Sequence, residues 1–88
     1  MAITKALAID LAPQNINVNA VGPGYVMTDM VSGLLADEEK YNAVLNRTPL
    51  GKIGTADEVA TAVLYFCLPQ SSYTTGQTLI LDGGWSAQ

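Results

Sequence analysis

Apolar and polar positions along the 88 residues alternate between helical and strand spacing, and the runs mark five elements. From Ala2 to Ala12 the spacing predicts a helix, with Ile3, Leu7 and Leu11 on one stripe and Ala2, Ile9 and Ala12 towards the opposite side. Pro13 stands just beyond as a stop signal. A helix apolar on two sides either has two partners or lies fully buried in a larger domain. Ile16, Val18 and Ala20 then alternate with Asn17, Asn19 and Val21, the two-residue period of a strand. Pro23 fixes its own φ and keeps Gly22 out of the helical region, so the strand is expected to end there. Gly24 permits a sharp turn or the close approach of a ligand.

A loop through Asp29–Ala36 leads to a helix near Asp37–Asn46, with Asp37 as N-cap and Glu38 and Glu39 where the helix dipole favours negative charge. Tyr41, Val44 and Leu45 share its apolar face. Thr55-Ala56-Asp57-Glu58 reads as a capping box that opens the next helix, which Pro69 ends. Val59, Val63 and Phe66 mark its expected core face, and Cys67 reads as a small buried hydrophobe. After a polar connection, Gly76 opens a strand over Gln77–Leu81, and Asp82-Gly83-Gly84 stops it. The order is α-β-α-α-β, and a strand, a crossover with a helix and a second strand predict parallel pairing.

Two parallel strands need helices over both faces, so this chain reads as a piece of a larger α/β sheet. At 49% apolar residues it is not a disordered segment. The net charge of −4, with no basic cluster, argues against nucleic acid or an anionic membrane as a partner. The longest apolar run, Val59–Leu68, is too short to span a bilayer. With no histidine and one cysteine, neither a Ser-His-Asp triad nor a usual zinc site can be built from one chain. A lone cysteine fits a reducing, cytoplasmic setting.

Three blocks carry a family resemblance. Val18-Asn19-x-Val21-x-Pro23-Gly24-Tyr25-Val26-x-Thr28, Thr48-Pro49-Leu50-Gly51-Lys52-Ile53-Gly54-Thr55-x-x-Glu58-Val59-Ala60 and Thr75-Gly76-Gln77-Thr78-Leu79-x-Leu81-Asp82-Gly83-Gly84 stand in order across nearly the whole chain. Together they resemble the C-terminal part of short-chain dehydrogenases/reductases. Leu68-Pro69 departs from the usual Ser-acid pair after the last helix, and Gly22 stands where Ala or Ser is commoner. The resemblance implies that residues 1–88 are the C-terminal fragment of one doubly wound, Rossmann-type dinucleotide-binding domain. That family's phosphate loop, catalytic Ser and Tyr-x-x-x-Lys pair do not occur here.

By the same resemblance the cofactor is NAD or NADP and the substrate a small alcohol or carbonyl. Pro23 and Gly24 would bring the backbone to the nicotinamide, the Val26 backbone would pair with its carboxamide, and the Thr28 hydroxyl would contact the carboxamide or pyrophosphate. Read from the residues alone, Thr28 is a helix cap before a cofactor contact, or else a solvated loop hydroxyl. No catalytic or metal residue is assigned. The stretch from Asp29 to Arg47 would form a substrate lid, in which Met30, Leu34 and Leu35 either line a pocket or anchor the loop. The last helix, the last strand and the Asp82–Trp85 tail resemble elements through which the family forms dimers and tetramers; Trp85 is either an interface anchor or a plain exposed aromatic. The isolated chain is expected to be inactive. The alternatives are a non-catalytic interaction protein that pairs with a full-length homologue, and a vestigial product.

Overall fold

The computed structural model describes residues 1–28, 32–33 and 35–88. Helix α1 spans Ala2–Leu11 and runs directly into a 3-10 turn, Ala12–Gln14. Pro13 is accommodated at the start of that turn, and Asn15 closes it in the left-handed region at φ 60°. Strand β1 is Ala20–Pro23 and pairs in parallel with β4, Thr78–Leu81, in the register Ala20 to Thr78 through Pro23 to Leu81. Between them lie β2, Val26–Met27; α2, Glu38–Arg47; β3, Gly54–Thr55; and α3, Ala56–Cys67. The β2 and β3 pair is also parallel, Val26 opposite Gly54 and Met27 opposite Thr55.

The predicted α-β-α-α-β order holds, with corrections that have physical causes. The first strand begins at Ala20 and not at Ile16, because side chains take over the pairing before it. Asn17 Nδ2 donates to the Ser72 carbonyl at 2.9 Å and Asn19 Nδ2 to the Thr74 carbonyl at 3.0 Å. Asn19 Oδ1 accepts from the Gln77 amide at 3.1 Å, and the Thr75 hydroxyl accepts from the Val18 amide at 3.0 Å. The last strand correspondingly starts at Thr78.

On α1 the covered face is Thr4 and Ala8, not the Ile3–Leu7 stripe, which is exposed. Ala8 packs over Gly76: a Cβ placed on Gly76 would stand 3.5 Å from Ala8 Cβ, at ordinary contact distance. Helix α3, packed on β1 and β3, is corrected the same way. Its buried residue is Ala62, flanked by half-buried Val59 and Phe66, while Val63 is exposed. Cys67 is exposed, so it is not the buried hydrophobe its neighbours suggest.

Both helix starts are as predicted. Asp37 Oδ1 accepts from the Glu39 amide at 2.9 Å and from the Lys40 amide at 3.4 Å. Val44 is buried on the inner face of α2, with Tyr41 and Leu45 half-buried beside it. The capping box of α3 is complete: the Glu58 amide donates to Thr55 Oγ1 at 3.1 Å, and the Thr55 amide donates to Glu58 Oε1 at 3.0 Å.

The described apolar core is small: Ala8, Val26, Leu35, Val44 and Ala62. The chain is correspondingly extended, 50 × 24 × 20 Å with a radius of gyration of 15.7 Å. A compact chain of this length would have a radius near ~12 Å. Among the described residues no helix is long and apolar enough to cross a membrane.

Candidate functional site

Three segments converge beyond the carboxyl ends of β1 and β4. The first is the turn after β1. Pairing continues one residue past the strand, where the Gly24 amide donates to the Leu81 carbonyl at 2.9 Å. A Cβ on Gly24 would lie 2.9 Å from Asp82 Cβ and 3.1 Å from Asp82 Cα. The missing side chain at Gly24 is therefore used by the chain itself, to seat the turn against Asp82.

The second segment is β2 with its partner. The Gly54 amide donates to the Tyr25 carbonyl at 3.1 Å. Successive residues of a strand direct their amide and carbonyl groups to opposite edges, so those of Val26 face away from β3. A donor and an acceptor stand side by side on that outer edge, while the Val26 side chain is buried. Thr55 then ends β3 and caps α3, which brings a helix N-terminus to the same corner.

The third segment is the tail after β4. Gly83 and Gly84 take φ of 65° and 94°, a left-handed geometry that glycine permits, and turn the chain back on Asp82. Asp82 Oδ1 accepts from the Gly84 amide at 3.0 Å and Oδ2 from the Ser86 amide at 2.9 Å. Hydrogen bonds from Ser86, side chain first and then backbone, followed by those from Gly84 and Trp85, hold the Asp82 carboxyl below its ordinary value. Glu58 is lowered too, chiefly by its bond from the Thr55 backbone, then by the Thr55 hydroxyl and more weakly by Lys52.

Together these segments border an open cleft of about 990 Å³, lined among others by Pro23, Gly24, Val26, Thr55, Glu58 and Trp85. Its volume lies at the upper end of the range for small-molecule and cofactor clefts, and apolar surface with a few polar groups is the usual lining of such clefts. Of the four residues singled out in the sequence, Pro23, Gly24 and Val26 border it, and Thr28 lies beyond its described lining. The Thr28 carbonyl accepts from the Ser32 amide at 2.7 Å. Of the loop residues, Asp29, Met30, Val31 and Leu34 lie outside the described residues, and Leu35 is buried. Trp85 is half-buried against its own chain: its ring centroid is 5.8 Å from that of Tyr25, and Arg47 Cζ lies 4.7 Å from its centroid. Neither β2, β3 nor this aromatic cluster was legible as such in the sequence. A two-residue strand has no period to read, and the cluster joins positions 25, 47 and 85.

A family model described as enoyl-(acyl carrier protein) reductase matches residues 1–86. A tropinone reductase homolog of Arabidopsis thaliana is 48% identical over 84 residues, covering 96% of this chain and 26% of its own length. Among solved structures, a candidate 2-deoxy-d-gluconate 3-dehydrogenase of Agrobacterium tumefaciens with bound NADP superposes with a TM-score of 0.93 at 38% identity, over 99% of this chain and 35% of that one. A 4-hydroxyisoleucine dehydrogenase complexed with NADH superposes with a TM-score of 0.95 at 25% identity, over 99% and 36%. The chain thus spans about a quarter to a third of the length of these proteins.

Proposed function

The chain belongs to the short-chain dehydrogenase/reductase family, and from that premise we propose that it is the nicotinamide-side segment of an NAD(P)-dependent oxidoreductase subunit. Its fold is the C-terminal part of that family's doubly wound parallel sheet. In this reading residues 1–88 complete one dinucleotide-binding domain whose phosphate loop and proton donor come from outside them. The reaction interconverts a small alcohol and a carbonyl.

The observation that carries the reading is the free edge of β2 beside the cleft. The Val26 amide and carbonyl face away from β3, a donor and an acceptor side by side that a planar carboxamide could pair with. When bound, the nicotinamide supplies the hydride acceptor or donor. The task of these residues is orientation: the Pro23–Gly24 turn fixes the strand end, Val26 holds the ring in one plane, and the Thr28 hydroxyl adds a polar contact. Holding one ring face towards the substrate is what makes transfer effectively intramolecular. The segment from Asp29 to Arg47 would cover the substrate, and the outer helix faces would serve a dimer or tetramer.

The test is a complete subunit made by joining residues 1–88 to the N-terminal part of the Arabidopsis relative. It should reduce a small carbonyl compound with NADH or NADPH, and the isolated 88 residues should not. Val26→Pro removes the outward amide, which β3 does not use, along with part of a buried side chain, and the cofactor KM should rise roughly three- to tenfold. An unchanged cofactor KM, or turnover by the isolated chain, would overturn the reading.

A further inference from the structure

The Tyr25, Trp85 and Arg47 cluster takes no part in the contacts assigned to the nicotinamide, yet it ties together the pieces that make them. Tyr25 follows the Pro23–Gly24 turn directly, Arg47 is the last residue of α2, and Trp85 lies in the tail after β4. Trp85 stacks at a 49° tilt on Tyr25, with the Arg47 guanidinium over the same ring.

Hydrogen bonds join the same three segments. The Gly24 amide reaches Leu81 at 2.9 Å, the Leu50 amide reaches the Gly83 carbonyl at 3.0 Å, and Gln88 Nε2 donates to the Arg47 carbonyl at 2.7 Å. Arg47 thus keeps its carbonyl, an otherwise orphaned group at a helix end, satisfied by the tail. Asp82, bonded to the Gly84 and Ser86 amides on either side of Trp85, fixes the direction in which the indole leaves the backbone.

We infer that Trp85 is a positioning residue that holds the C-terminal end of α2 against the Pro23–Gly24 turn. The position rests on geometry alone; its consequence for catalysis rests on the proposed function, in which α2 ends the stretch over the substrate and the turn carries the nicotinamide contacts. A cation over a partly exposed ring, together with one aromatic contact, biases the arrangement without locking it.

Amide hydrogen exchange of the 88-residue chain tests the position without cofactor. Trp85→Ala should speed exchange at the Leu50 amide, which bridges to the tail, and at the Gly24 amide, which bonds the end of β4 where the tail begins, and leave the Glu58 amide of the capping box unchanged. Arg47→Ala removes only the cation, so its effect on Leu50 should be roughly two- to fivefold. Trp85→Phe, which keeps an aromatic face, should restore most of the protection. Equal acceleration at Leu50, Gly24 and Glu58, or wild-type exchange already unprotected at Leu50 and Gly24, would overturn the inference. In the joined subunit the same Trp85→Ala change should raise KM several-fold with kcat nearly kept, a split that loss of folded protein would not produce. A joined subunit without activity would count against the proposed function alone, since the exchange result stands apart from it.

Discussion

The corner beyond the strand ends and the outer faces of α1 and α3 are built on opposite terms. At the corner, space and hydrogen bonds are used to the limit. Gly24 is filled by Asp82, Gly83 by Thr48, and the Asp82 carboxylate by two amides. On the outer faces Ile3 is 66% exposed, Ile9 74% and Leu64 57%. Apolar residues in such numbers on helix faces are a cost that only a partner surface removes. The corner is held by contacts among these residues, whereas the flanks await contacts they do not make. Substitutions at the two regions should therefore differ in size, in order.

Gly83→Ala should do the most damage. Its φ of 65° disfavours any side chain, and the added Cβ would stand 2.6 Å from Thr48 Cγ2. Thr48 has little room to yield, because it is buried and its hydroxyl donates to the Val44 carbonyl at 2.7 Å. Strain and overpacking together should cost about 2–4 kcal/mol, read by urea unfolding of the joined subunit. A loss below 0.5 kcal/mol would show that the corner is looser than its distances imply.

The capping box comes next. Thr55→Ala removes the oxygen that accepts from the Glu58 amide and should destabilise by about 1 kcal/mol, while Thr55→Ser should restore nearly all of it. Equal losses from Ala and Ser would locate the effect in the methyl group and not in the cap.

That cap was readable from the sequence because its two members stand three residues apart and answer each other through one turn. The same locality made Asp37, Pro23 and the ends of both long strands legible. What could not be read depends on distance in the chain. Large residues at helical spacing pointed to Ile3 and Leu7, and to Val63. The covered positions are instead the smaller Thr4, Ala8 and Ala62, which depends on what the helices pack against and not on their own spacing. Of the site, Pro23, Gly24 and Val26 were placed at the cleft by pattern and resemblance. The use of Gly24 to seat Asp82, and the meeting of residues 25, 47 and 85, depend on a tail that folds back only in three dimensions.

Acid should separate the regions in another way. The Asp82 and Glu58 carboxyls are both held low by hydrogen bonds made in the folded chain. Each therefore binds its proton less readily folded than unfolded. The stability they add is complete above the ordinary carboxylate range and is lost as pH falls through the lowered folded values, below about pH 4. Unfolding midpoints of the joined subunit followed from pH 6 to pH 3 should fall less steeply in an Asp82→Asn, Glu58→Gln variant than in the parent. Parallel curves would remove these two groups from the acid response.

The smallest effect is expected at Ile9. Its side chain is 74% exposed on α1, one residue from the buried Ala8, whose Cβ would stand 3.5 Å from a Cβ placed on Gly76. Ile9→Lys exchanges exposed apolar surface for charge without touching a packed atom, so intrinsic stability should move by less than about 0.5 kcal/mol. Ala8→Leu, one position along, forces a large side chain against the Thr75–Gly76 backbone and should cost about 1–3 kcal/mol. What Ile9→Lys should change is association: sedimentation of the joined subunit should show a shift towards smaller species if this face meets another copy. An unshifted oligomer with unchanged stability would assign the open face of α1 to cover from within the same subunit. In either case, neighbouring residues on one helix would differ several-fold in cost, because only one of them is buried.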